Sequence, residues 1–324
     1  MKAVLCTQYG PPEVLHLMDV DQPVPGDNDV LIKIHCATVT MGDCELRNLT
    51  LPRWTRLPVR LIMGYSKPKR LIPGMEFSGV VEAVGKEVHN FKKGDTVFGS
   101  GGMKMGAYAE YTCCPSTAIT LKPLGVSFAD AATIIVGGLN ALHFLRKANI
   151  QPGQKVLVIG AGGNIGTYGV LFAKLHGAEV TAVDSTSKLD MLRSIGADHV
   201  IDYTKEDFSA SGKKYDVIFD LIYKSSFTKC VKALTETGYY LMANTGPRRM
   251  LRGLWVSCTS KKRIVSAMAG LPVPDMNHIA TLIADGKIKP VIDKTYPLSE
   301  VVEAHTYVEK GYKKGCVILI INDV

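Results

Sequence analysis

The sequence lacks what a membrane-spanning, disulfide-stapled or nucleic-acid-binding protein would need. No run reaches the ~20 apolar residues that cross a bilayer, and the N-terminus MKAVLCTQYG has no leader-type apolar region. The eight cysteines include no C-x-x-C pair and no regular spacing. Several stand in strand-like apolar runs, where a free thiol packs as a small hydrophobe, so a reducing, cytoplasmic compartment is expected. Aromatics make up 7% of the chain and do not interleave with its basic segments, Arg53 to Arg70, Arg248 to Arg252 and Lys261 to Arg263. With no nucleic-acid motif beside them, we expect no nucleic-acid partner. Acidic residues are the scarcer charge, 30 against 38 basic, for a net +8 that favours anionic partners. Most of this charge reads as solvated surface. Leu57, Val59, Leu61 and Ile62, beside basic residues, also form a pattern fit to rest on a membrane surface.

What the chain does have is concentrated in Lys155 to Lys188, KVLVIGAGGNIGTYGVLFAKLHGAEVTAVDSTSK. The apolar run Val156 to Ile159 leads into Gly160, Gly162, Gly163 and Gly166. An amphipathic stretch follows to Leu175, then Gly177 and a second β-type run, Val180 to Val183. Strand, glycine turn, helix and strand in that order make a dinucleotide-binding unit. Side chains at the turn would hold the backbone away from a pyrophosphate, and the helix N-terminus offers free N–H groups and a positive dipole end.

Around this unit the periodicity changes twice. Residues 1 to about 122 hold short strand-like runs (AVLC, DVLIKIHCATV, FSGVVEAVG, GDTVFG, AYAEYTCC) closely punctuated by Pro and Gly, the pattern of an all-β, barrel-like domain. Inside it, Leu51 to Ile72 is a basic, proline-containing segment without clean periodicity, read as a loop with some helix and a lid-like role. Ala131 to Leu145, with Gly137, Gly138, Asn140 and His143, reads as a buried connector. From about Ser127, helical spacing gives way to strict strand–helix alternation, which predicts a doubly wound parallel sheet covered on both faces. After about Leu271 two more helices and the closing strand CVILII return to the first domain.

Together these segments resemble the medium-chain dehydrogenase/reductase superfamily, in its zinc-free, quinone-oxidoreductase-like (zeta-crystallin-like) branch. The likeness runs through MKAVLCTQYGPPEVL, PGMEFSGVVEAVG, FKKGDTVFG, GAYAEY, the glycine motif, SIGADHVIDYTKEDF and GKIKPVIDKTYPLSEVVEAH. It implies an α/β chain with a GroES-like β-barrel domain (1–122 and 272–324), a Rossmann domain (123–271), and a cleft between them. Where zinc-containing relatives carry ligands, this chain matches with Thr40, Met75 and Val136, none of them a good Zn²⁺ ligand, so no metal is expected. Glu76 then has a structural role.

For the cofactor, the pattern Gly160-x-x-Gly163-x-x-Gly166, with Asn164 and Ile165 inside it, looks like that of NADPH-using members. Lys188 and Tyr203 match residues that grip the adenosine 2′-phosphate, with Ser185, Thr186 and Ser187 nearby. Asp184 stands where an NAD-type acid would, which keeps NADH open. NADPH is the expected cofactor. Asn140 and Asn244 match positions near the nicotinamide ribose and carboxamide, and Thr40 one near the reactive ring. Without a Lewis acid, hydride transfer favours activated acceptors, so a quinone or enone is the expected substrate. No general acid stands out; Thr40, Asp43 and Tyr65 are the candidates, with Tyr108 beside them. The resemblance leaves two alternatives, a 2-enoyl-thioester reductase and a non-catalytic, crystallin-type NADPH-binding protein. It also implies a homo-oligomer, dimer or tetramer, paired through the strand RIVSAMA.

Overall fold

The computed structural model describes residues 1–322 except Arg70 and Lys224; the side chain of Arg53 also lies outside the described part. Arg70, which closes the first basic segment, therefore falls outside the described residues. The chain divides into two compact units, Met1–Ile135 with Leu271–Asp285 and Ile292–Val324, and Val136–Gly270 with Gly286–Val291. The first unit continues past the expected boundary at residue 122 to take in the helix Phe128–Ala132, whose Ala132 packs with Cys36, Cys316 and Ile318.

The first unit is built around Asp29–Val39, a mainly apolar strand buried at nine of its eleven residues. Such a run suits a strand covered on both faces. It pairs antiparallel with Glu76–Val84, with Tyr111–Pro115 and, near its end, with Cys316–Ile320. The seven-stranded mixed sheet runs Ile292–Pro297, Cys316–Ile320, Asp29–Val39, Glu76–Val84, Thr96–Ser100, Ile119–Leu121, with Tyr111–Pro115 off this path beside Asp29–Val39, and the first two strands are parallel. A separate hairpin joins Lys2–Cys6 to Leu15–Asp19. Val30, Ile32, Ile34, Phe77, Val97 and Leu319 are buried together in its core. Tyr108 is fully buried there, and its hydroxyl donates to the Thr38 carbonyl at 3.1 Å.

The second unit holds six parallel strands in the order His199–Asp202, Glu179–Asp184, Lys155–Ile159, Tyr215–Asp220, Leu234–Met242, Arg263–Ser266. Numbered along the chain this is 3-2-1-4-5-6, the doubly wound order of a dinucleotide-binding sheet. Strand direction reverses its lateral march between Lys155–Ile159 and Tyr215–Asp220. The carboxyl ends of those two strands are therefore the place where such a sheet binds ligands. Leu157, Ile159, Val183, Ile218 and Tyr240 form the core beneath. One helix gives the expected helical part of Leu51 to Ile72, and another was not named from the sequence. Arg53–Met63 carries Pro58 inside it, and Pro247–Thr259 follows the fifth strand.

Candidate functional site

The first strand of the parallel sheet ends at Gly160, whose φ of +80° lies in the region open to glycine. The turn is then pinned to the second strand. Gly160 and Ala161 donate their N–H groups to the Val183 carbonyl at 3.0 and 3.2 Å, and Gly162 donates to Asp184 Oδ2 at 2.7 Å. Gly166 is required by packing, since a Cβ there would lie 2.4 Å from the Gly160 carbonyl oxygen and 2.6 Å from that of Ala161. Gly163 is different. A Cβ on it would meet no protein atom nearer than 3.8 Å, and its backbone is ordinary extended chain. The protein's own packing does not demand glycine here. Gly163 is the N-cap of Asn164–Leu175 and, being glycine, supplies no capping side chain. That combination fits an anionic pyrophosphate. Asn164 is buried and Ile165 half-buried in the same first turn, and Gly137 leaves room for Asn164, whose Oδ1 would be 2.1 Å from a Cβ at that position.

Asp184 and Lys188, opposed as cofactor signals, are joined. The Asp184 carboxylate points into the turn, taking the Gly162 N–H on Oδ2 and the Ser185 N–H on Oδ1 at 2.8 Å. Lys188 Nζ lies 3.3 Å from Oδ1, and both side chains are about nine-tenths buried. A short helical turn, Thr186–Lys188, brings the ammonium back over the acid. Tyr203 is exposed but adjacent, its N–H donating to the Asp184 carbonyl at 3.2 Å. Thr186 is held by Asp202. Ser185, Lys188 and Tyr203 are thus brought together at the carboxyl ends of the second and third strands.

A second anchor was missed from sequence. Asp220 ends the fourth strand, 1% exposed, and accepts from Ile222 N–H at 3.0 Å, Tyr240 Oη at 2.6 Å, Arg249 Nη2 at 2.9 Å and Ser225 Oγ. Arg249 also donates to the Tyr223 carbonyl at 2.7 Å. Burial, and then the neighbouring Asp220, hold the Tyr240 hydroxyl protonated well above its usual range. This network fixes the loop whose Ile222 side chain rests against Gly160. The available signal was an acid closing the apolar run DVIFD, since a buried charge needs partners; its partner Arg249 lay inside a segment read as surface charge.

In the first unit, Thr40 caps the helix Met41–Asn48 in a reciprocal box with Asp43. Thr40 N–H and Oγ1 donate to Asp43 Oδ2 at 2.9 and 2.6 Å, and Asp43 N–H returns to Thr40 Oγ1 at 3.2 Å. Asp43 is 2% exposed and its Oδ1 has no hydrogen-bond partner. Burial outweighs the Thr40 hydrogen bonds and lifts its carboxyl to about 6. The Thr40 and Met75 side chains meet beside Gly42, where an added Cβ would lie 3.4 Å from Thr40 Oγ1 and 3.7 Å from Met75 Cε. Hydroxyl and thioether are poor Zn²⁺ ligands. Among the described residues, no group of three or more His, Cys, Asp or Glu side chains is placed to hold a metal. Glu76 is fully buried and accepts from Thr38 Oγ1, a structural setting. Cys44 Sγ and His305 Nδ1 approach to 3.3 Å, but burial pushes the thiol up to about 12 and the imidazole down to about 3, so both are neutral and unreactive.

Three candidates remain. Tyr65 is exposed, with the Arg60 guanidinium 5.4 Å from its ring centre. Asn140 Nδ2 donates within its own helix to the Val136 carbonyl at 2.8 Å, and Asn244 is exposed beyond the fifth strand.

The Asp43 shift has a definite sign. Its folded-state pKa is raised above the ordinary aspartate value, so the folded chain binds the extra proton. The carboxyl weighs nothing against folding below about pH 4 and opposes it increasingly as pH rises through 6. Asp43→Asn removes this slope. Between pH 4 and 7 the stability of Asp43→Asn relative to the parent chain should rise by roughly 2 kcal/mol, measured by urea unfolding across pH; parallel profiles would contradict the assignment.

Comparison with known proteins agrees with this architecture. A family model described as an alcohol dehydrogenase GroES-like domain matches residues 26–124, and one described as a zinc-binding dehydrogenase matches 195–319. The 2-methylene-furan-3-one reductase of Solanum lycopersicum is 33% identical over 98% of this chain and 79% of its own length. A chloroplastic quinone-oxidoreductase of Triphysaria versicolor is 31% identical over 98% of both chains. The solved quinone oxidoreductase of Coxiella burnetii superposes with a TM-score of 0.89 at 29% identity, covering 99% of both chains. The chain thus belongs to the medium-chain dehydrogenase/reductase superfamily, in its quinone-oxidoreductase-like branch.

Proposed function

We propose that the chain is an NADPH-dependent oxidoreductase that reduces quinones or α,β-unsaturated carbonyl compounds without zinc. The observation that carries this reading is the open space at Gly163, the N-cap of the helix that follows the first parallel strand, where the fold itself does not require glycine. A bound nicotinamide cofactor would supply the hydride. The N-terminus of Asn164–Leu175 would hold its pyrophosphate, and Ser185, Lys188 and Tyr203 its adenosine phosphate. Thr40 and Met75 support the zinc-free reading by their chemistry, which gives no Lewis acid to polarise a simple ketone or activate an alcohol. Substrates already activated by conjugation remain. The names of relatives agree, among them an NADPH-dependent alkenal/one oxidoreductase of Arabidopsis thaliana, 31% identical over 98% of this chain. They do not favour the enoyl-thioester reading.

For the proton we favour Thr40 backed by Asp43. When Asp43 is protonated it can donate to Thr40 Oγ1, which frees the Thr40 hydrogen for a substrate oxygen gaining negative charge. With the carboxyl at about 6, this supply falls as pH rises above that value.

Two experiments test the reading. Purified protein should oxidise NADPH with benzoquinones or simple enones, and Thr40→Val should lower kcat by about tenfold or more while Thr40→Ser retains it. No NADPH oxidation with any acceptor would overturn the enzyme reading; full turnover by Thr40→Val would overturn the proton route alone. Cofactor choice is tested at Asp184. Replacing it by Ser releases Lys188, and a charge-assisted bond to phosphate of ~1.5–3 kcal/mol should move the NADPH-to-NADH affinity ratio toward NADPH by about tenfold to a hundredfold. An unchanged ratio would mean that Lys188 does not face the adenosine phosphate.

A further inference from the structure

The helix Arg53–Met63 has two sharply different sides. Thr55, Val59 and Met63, at i, i+4 and i+8, are the half-buried and buried positions that seat it on the first unit. The opposite side presents Trp54, Leu57, Pro58, Leu61 and Ile62 to solvent. Trp54 is 47% exposed, Leu57 58%, Leu61 64% and Ile62 61%. Val59, grouped with the apolar surface residues from sequence, belongs to the inner side. Apart from the indole N–H, these five outer side chains carry no hydrogen-bonding group. Four large apolar groups exposed side by side on one helix mark an interaction surface, since single exposed hydrophobes are common and clusters of them are not.

The surrounding charge says what kind of surface covers it. Between Glu45 and Glu76 the chain holds seven basic residues and no acidic one, whereas the rest of the sequence, with 31 basic and 30 acidic, is almost neutral. One of the seven, Arg47, is buried and paired with Glu309. Arg56, Lys67 and Lys69 are exposed at the flank of the apolar stripe. Arg60 is half-buried beside them, with Nε lacking a hydrogen-bond partner. A directional protein partner would need polar groups to register against, and this face has almost none. An apolar stripe with an interfacial Trp and a one-signed basic rim is instead the composition of a helix lying in the plane of a lipid headgroup layer. Eleven residues rise about 16 Å, too short to cross a bilayer, and no described helix is long and apolar enough to do so.

We propose that Arg53–Met63 seats the chain on an anionic lipid surface, with Trp54, Leu57, Leu61 and Ile62 against the acyl chains and Arg56, Lys67 and Lys69 on the phosphates. The inference is independent of the reaction assigned above. The test is co-sedimentation of the full chain with vesicles of phosphatidylcholine alone and with phosphatidylglycerol added, at low and high salt. A Trp255→Phe background leaves Trp54 as the sole tryptophan reporter. The chain should pellet with the anionic vesicles, release as salt rises, and show a blue-shifted Trp54 emission when bound. Leu57→Ser with Leu61→Ser should lower the partition coefficient by about tenfold or more, with melting temperature unchanged because both side chains are exposed. The proposal is overturned if the chain stays in the supernatant or if it binds neutral vesicles equally well. It is likewise overturned if the double substitution abolishes a self-association seen without lipid, which would assign the stripe to a second copy of the chain.

Discussion

The carboxylate of Asp184 shapes the turn on which the proposed chemistry depends. It is buried at the end of the second parallel strand and receives N–H groups from Gly162 and Ser185 together with the Lys188 ammonium. A buried carboxylate needs such company, because desolvating an unpaired charge is expensive. Satisfying it draws the glycine turn against the second strand, and that contact, with the Gly166 packing, aims the helix N-terminus outward. Asp220 does the same for the neighbouring loop through Arg249 and Tyr240. Two buried acids at the carboxyl ends of strands therefore fix both sides of the sheet's switch point.

The first unit uses a related device at a different scale. Thr40 and Asp43 close a helix cap inside the protein, and one carboxylate oxygen is left without a partner. The consequence is a carboxyl displaced toward neutrality, which is the range that acid–base work requires. Burying the carboxyl with one oxygen unpaired costs stability once it ionises.

Much of this was legible before any coordinates. The parallel unit could be read because each part obeys a local rule: β-branched strand residues, glycines in a tight turn, an amphipathic helix. What stayed hidden depends on distance in the chain or on exceptions to periodicity. Asp184 and Lys188 were visible as rivals, but only the short helical turn between them shows that they neutralise each other. Asp220 and Arg249 are separated by a helix and a strand, so their pairing is a tertiary fact. The helix Arg53–Met63 was obscured because Pro58 sits inside it and because its outward side is apolar, the reverse of the usual amphipathic arrangement. Asn140 and Asn244 show the converse limit, since an amide in an apolar run satisfies its own helix at one position and stands in solvent at the other.

Under the proposed function, Gly163 is glycine for the sake of the cofactor. Its backbone suits any residue, and a methyl group there would meet no protein atom nearer than 3.8 Å. The direct measurement is a fluorescence titration of NADPH against the parent chain and Gly163→Ala, with thermal unfolding of both in the absence of cofactor. The account predicts equal melting temperatures and an NADPH affinity weakened by about tenfold or more. Equal affinity in a folded Gly163→Ala would contradict it.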